Sequence, residues 1–123
     1  MLAFKNRFHG HNSLRYVYKN NRTVRSQTVV LKCVRNPKRN NPRFAAVISK
    51  KTIKSAVGRN RVRRRVYEII RKHLHQIDSN SDVVLLIVNA EARTMPAKEL
   101  EDTVLDVLTR AGIYKNTGET GIL

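Results

Sequence analysis

Between residues 53 and 77 apolar side chains return at every third or fourth position. Val62, Val66, Ile69, Ile70, Leu74 and Ile77, with His73 among them, fall on one stripe of a long helix. A second stripe runs through 97–112, where Val104, Leu105, Val107, Leu108 and Ala111 share a face. Pro96 precedes it, and Gly112 suits its C-terminal cap. A shorter helix is predicted over 11–20, with Leu14, Val17 and Tyr18 at helical spacing and Asn12 or Ser13 as its cap. The period changes to two over 26–35, which predicts a strand with Val30, Lys32 and Val34 on one face and Val29, Leu31 and Cys33 on the other. A second strand is predicted over 43–49. A third, over 82–90, is apolar on both faces and belongs in the middle of a sheet or under a helix. Turns are expected at 20–23 and 79–82, and a hairpin-type loop at 36–42, where two prolines and three asparagines gather. Helices around a small sheet make an α+β domain.

A chain of 123 residues suits one domain, here 1–115, with 116–123 as a flexible tail. The single Cys33 excludes an internal disulfide, and no Cys/His zinc spacing is present. This fits a reducing compartment such as the cytoplasm. The opening residues have no apolar run of signal-peptide length, and the longest apolar run, 83–88, is too short to span a bilayer.

Charge changes the picture more. The net charge is +16, and it is regional: residues 1–75 hold 21 Lys and Arg against the single acid Glu68, whereas 76–123 hold four against eight. A cationic face of this strength repels itself until a polyanion neutralises it. Its centre is the long helix, where six arginines lie between 59 and 71. Arg61, Arg65 and Lys72 are expected on one flank, Arg64 and Arg71 on the other, and Arg59 and Arg63 on the outer side. Lys50, Lys51 and Lys54 stand just before it. A purely solubilising face would mix both signs, and a membrane-surface helix would need for lipid the apolar face that the core requires. Nucleic acid is the favoured partner, since the arginine fork matches phosphate oxygens and stacks on bases.

Independent catalysis is not favoured. The basic region offers only Glu68, and Glu99, Glu101, Asp102 and Asp106 belong to the last helix. His73 and His75 are two apart on a helix and point in different directions, while His9 and His11 lack a third ligand. No metal site is assigned, and no Ser/His/Asp set, Gly-rich phosphate loop or Cys-x-x-Cys is visible.

One block is more specific than charge. Ser49-Lys50-Lys51, followed by Ala56-Val57-Gly58-Arg59-Asn60-Arg61-Val62-Arg63-Arg64, resembles the bacterial RNase P protein subunit. Asn6-Arg7-Phe8 looks like that family's opening, and the resemblance covers most of the chain. It implies the order α-β-β-β-α-β-α, a small mixed sheet and a left-handed βαβ crossover, as in ribosomal protein S5 domain 2. It also implies a role in removing the 5′ leader of precursor tRNA, with the catalysis and its magnesium in the RNA subunit. Contacts to that RNA would come from Lys50, Lys51, Lys54, Arg59, Asn60, Arg61, Arg63, Arg64 and Arg65. The single-stranded leader would lie between the first helix and the sheet, against Leu14, Tyr18, Val30, Lys32 and Phe44. The protein would bind one copy per RNA as a monomer, without a cofactor of its own, tightening substrate binding and lowering the magnesium requirement. A structural RNA-binding protein of ribosomal type, without associated catalysis, is the alternative.

Overall fold

The computed structural model describes residues 3–8, 11–20, 22–37 and 41–115, without the side chains at 4, 11–14 and 20. The predicted tail, His9, and the side chains of Leu14, His11 and the two candidate caps Asn12 and Ser13 lie outside that description. The elements run α1 (His11–Asn20), β1 (Arg22–Arg25), β2 (Val29–Arg35), β3 (Arg43–Ile48), α2 (Ala56–His73), β4 (Ser81–Ile87) and α3 (Ala97–Arg110). Short 3-10 turns cover Phe4–Asn6, Leu74–Gln76 and Ala90–Arg93.

The sheet order is β1-β2-β4-β3, so the most apolar strand is enclosed between two others. β4 runs antiparallel to β2 and parallel to β3, and α2 forms the crossover between the parallel pair. Two sequence expectations are corrected by this register. The 36–42 connection joins β2 to β3, which do not pair, so it is no hairpin. The expected turn at 20–23 runs into β1, whose Arg22 and Thr23 pair with Cys33 and Lys32. β1 is an exposed edge strand, so it carries no apolar alternation to reveal it. The turn lies one step later, where Ser26 bonds Val29 through both its backbone N–H (2.9 Å) and its hydroxyl (2.8 Å).

Alternation gives the sheet two distinct faces. Val29, Leu31, Cys33, Phe44, Ala46, Ile48, Val83, Leu85 and Ile87 join α2 and α3 in the main core. Val30 and Val84 point the other way, where α1 packs with its buried Val17. Most of the predicted stripes is buried: Val62, Val66, Ile69 and Ile70 of α2 and Val104, Val107 and Leu108 of α3, whereas His73, Leu74 and Leu105 are only partly so, and α2 ends at His73, before Leu74 and Ile77. Gly112, at φ 79°, ends α3. Its N–H reaches the Thr109 carbonyl (3.0 Å) and that of Ile113 reaches Leu108 (3.3 Å), a Schellman closure.

The far edge of β3 is sealed by side chains and by the opening segment. The Phe8 N–H donates to the Phe44 carbonyl (3.3 Å), the Tyr67 hydroxyl accepts from the Ala46 N–H (3.2 Å), and Arg63 Nε donates to the Ala46 carbonyl (3.2 Å). On the same strand, Arg43 holds Asp82 in a buried fork at 3.0 and 2.8 Å, with the Phe8 ring 4.8 Å from its guanidinium carbon.

Candidate nucleic-acid interface

α2 starts where a tight turn is pinned from inside. Ser49 accepts the Thr52 N–H, and buried Ile53 anchors the segment to the core. Lys50, Lys51 and Lys54 are left exposed around it. Ser55 then caps the helix, its hydroxyl accepting the Gly58 N–H at 3.1 Å. Gly58 is buried, and a Cβ there would meet Ile53 Cγ2 at 2.8 Å, so the glycine lets the turn lie against the helix.

The arginines of α2 divide into two sets. Arg59 donates from Nη1 to the carbonyls of Ile53 (2.9 Å) and Lys54 (2.7 Å), and Arg63 reaches Ala46 and the Asn60 side chain. Arg65 donates to the carbonyls of Ala92 and Met95. All three are half-buried and clamp the helix to its surroundings. The expectation that Arg59 and Arg63 stack on the outer side is therefore corrected. At 100° per residue Arg59 falls between Val66 and Ile70, and Arg63 between Ile70 and the buried Tyr67, both beside the core, a signal already present in the sequence.

The outer row is Val57, Asn60, Arg61 and Arg64, at spacings of three and four. Asn60, Arg61 and Arg64 are exposed, and neither of those arginines has a hydrogen bond or ion pair among the described residues. Val57, which sequence reasoning passed over, is 70% exposed in the middle of this cationic field. Further along, Arg71 engages Glu68 at 3.0 Å and draws its carboxyl below the ordinary range.

The second candidate surface lies between α1 and the sheet. Val30 is buried beneath α1 and forms floor, not surface. Lys32 is half-buried beside it and donates to the Thr23 hydroxyl at 3.3 Å. Tyr18 is 43% exposed, and burial of the rest raises its phenol above its ordinary pKa. Tyr16 on the same helix is 52% exposed and was missed, although the alternation of Arg15, Tyr16, Tyr18 and Lys19 signals it. Phe44 does not belong here. It is fully buried in the main core, because its parity on β3 is opposite to that of Ala45 and Val47.

Three acids of α3 lie against basic neighbours. Glu101 accepts from or pairs with His73 Nε2 (3.1 Å), Asp106 holds Arg110, and Asp102 faces Lys98. Tyr114 closes on the other side of His73, its hydroxyl 3.2 Å from Nδ1; burial and then the Glu101 charge raise that phenol's pKa. Among the described residues no three His, Cys, Asp or Glu side chains gather to hold a metal, and no helix is long and apolar enough to cross a membrane.

Known proteins agree with this geometry. The ribonuclease P family profile matches residues 2–112. A ribonuclease P protein component of Clostridium botulinum is 27% identical over 110 residues, covering 89% of this chain and 97% of that protein. One from Exiguobacterium sibiricum is 30% identical over 99 residues, covering 80% and 84%. A shorter match, 40% identical over 57 residues, spans 46% of this chain and 48% of a Vibrio campbellii component. Among solved structures, the Staphylococcus aureus RNase P protein superposes with a TM-score of 0.79 at 22% identity, over 89% of this chain and 98% of that one. The Thermotoga maritima RNase P protein gives 0.71 at 20% identity, over 79% and 89%. Sharing the profile over nearly its whole length and the fold of these proteins, the chain belongs to the ribonuclease P family as a protein component.

Proposed function

We propose that this chain is the subunit through which a ribonucleoprotein endonuclease holds its catalytic RNA and the 5′ leader of precursor tRNA. The division of the α2 arginines carries the reading. Arg59, Arg63 and Arg65 spend donors on protein carbonyls, and so hold Asn60, Arg61 and Arg64 rigidly outward beside Lys50, Lys51 and Lys54. A preorganised row of uncommitted cations suits phosphate groups of a folded RNA. The remaining donors of Arg59 and Arg63 stand within the same patch. The leader is assigned to the surface between α1 and the sheet, where Tyr18 offers a sequence-tolerant stacking ring and Lys32 a charge.

In this reading the RNA supplies the active site and its magnesium ions, and one copy of the protein binds each RNA in the cytoplasm. Neutralising phosphates where two RNAs meet lowers their repulsion, so less magnesium is needed. The test is cleavage of precursor tRNA at low magnesium by the cognate RNA alone, by RNA with protein, and by protein alone. Stimulation only in the combined reaction, lost with Arg61→Ala/Arg64→Ala, is expected. Cleavage by protein alone would overturn the reading. Tight, salt-sensitive RNA binding without stimulation would replace it with a structural RNA-binding role.

A further inference from the structure

A groove of about 500 Å3 lies between α2 and α3, lined by Arg64, Glu68, Lys72, Lys98 and Glu101, with Ala97 in its wall and Ile69 and Leu100 at its base. We infer that it seats one unpaired nucleobase of the bound RNA, with the flanking phosphates on Arg64, Lys72 and Lys98. The inference rests on the reading that α2 docks on RNA.

Three observations support that occupant. Arg64 belongs both to the outward row of α2 and to the groove's wall, so the strand engaged by the row arrives at the groove's mouth. The lining is apolar at its base, from Ile69 and Leu100, and charged around it. The charges are also sorted by sign in a useful way. Arg64 has no partner among the described residues, and Lys72 and Lys98 hold theirs only loosely, at 4.0 and 3.8 Å. Glu68 and Glu101 lie alongside, already oriented by Arg71 and His73. A phosphate would be repelled by these carboxylates. A base ring fits the apolar floor, its amino group can donate to a carboxylate as cytosine N4 does, and the cations take its phosphates. An acidic peptide would have its own carboxylates set against Glu68 and Glu101.

Chemical probing of the unpaired nucleotides of the cognate RNA, with full-length protein bound, tests this. Ala97→Trp fills the groove from an exposed position of α3, and Lys98→Glu reverses a rim charge without touching the core. The expected result is one unpaired nucleotide bearing an amino group, protected by the wild-type protein and released by either variant while other protections persist. Melting curves that match wild type establish that both variants fold. Unchanged protection in both variants, or protection of a uridine, overturns the inference and leaves the docking reading standing. Loss of every protection in the groove variants, as in Arg61→Ala/Arg64→Ala, would mean that they disturb docking as a whole and would overturn the inference. A concentration-dependent dimer of the protein alone, abolished by Ala97→Trp, would make the occupant a second copy and overturn it as well.

Discussion

Arg61, Arg64 and Arg65 are neighbours in sequence with opposite assignments, and a salt titration separates them. Arg61 and Arg64 are exposed without a partner among the described residues, so each is free to neutralise a phosphate. Replacing either with alanine should lower the slope of log K against log[salt] by about 0.7–0.9, and replacing both by about 1.4–1.8. Stability should change by less than about 0.5 kcal/mol, the usual range for surface positions. Arg65 donates to two carbonyls of buried residues, Ala92 and Met95. Two charge-assisted bonds at a half-buried site are worth about 2–3 kcal/mol together. For a domain of this size that lowers the melting temperature by about 8–12 °C. Arg65→Ala should therefore leave the salt slope near its wild-type value. Filter binding to the cognate RNA across a potassium chloride series, with melts monitored by circular dichroism, measures both quantities. The reasoning is refuted if Arg65→Ala flattens the slope as much as Arg61→Ala does, or if Arg61→Ala and Arg64→Ala melt like Arg65→Ala.

Three further outcomes are expected. Asp82→Ala should cost about 3–5 kcal/mol in urea unfolding, since it leaves the Arg43 guanidinium buried and without its fork partner, whereas Asp82→Leu/Arg43→Met should recover most of the loss; a cost under about 1 kcal/mol for the single variant would count against a buried pair. Gly112→Ala should lower stability by about 1 kcal/mol through its positive φ alone, because the added Cβ would meet only Arg22 Nη1, at an ordinary 3.6 Å; an unchanged melting temperature would contradict the Schellman closure. Burial raises the Cys33 thiol pKa, partly opposed by Arg22, so a thiol reagent at neutral pH should label the native protein slower than the urea-unfolded chain by roughly tenfold or more; equal rates would place the thiol at the surface.

In the proposed reading the leader surface and the α2 row would engage RNA in different ways. α2 offers fixed cations, whose worth falls with salt. α1 offers aromatic rings, whose stacking depends less on it. Among the described side chains of α1, Val17 is buried, and Tyr16 and Tyr18 on either side of it are partly exposed.

Much of this protein was written into local sequence. Periods of 3.6 placed α2 and α3 and named their buried residues, because a helix that packs on one side must repeat its apolar positions. The double-sided run at 82–90 announced the enclosed strand β4. The charge asymmetry announced a polyanionic partner, and the block from Ser49 to Arg64 announced the family. Tertiary structure decided what depends on a neighbour. β1 exists only through its pairing with β2, so its exposed residues carried no pattern. The resemblance put Phe44 at the leader surface, and strand parity separates two faces without saying which helix covers each; the register with β4 and the packing of α1 place it in the main core. The roles of Arg59, Arg63 and Arg65 were likewise set by carbonyls contributed from residues 46, 53, 54, 92 and 95. A sequence gives each arginine the same charge and the same fork. Only the folded chain, by presenting a carbonyl to one and solvent to the next, determines which of them is spent on the fold and which stays exposed.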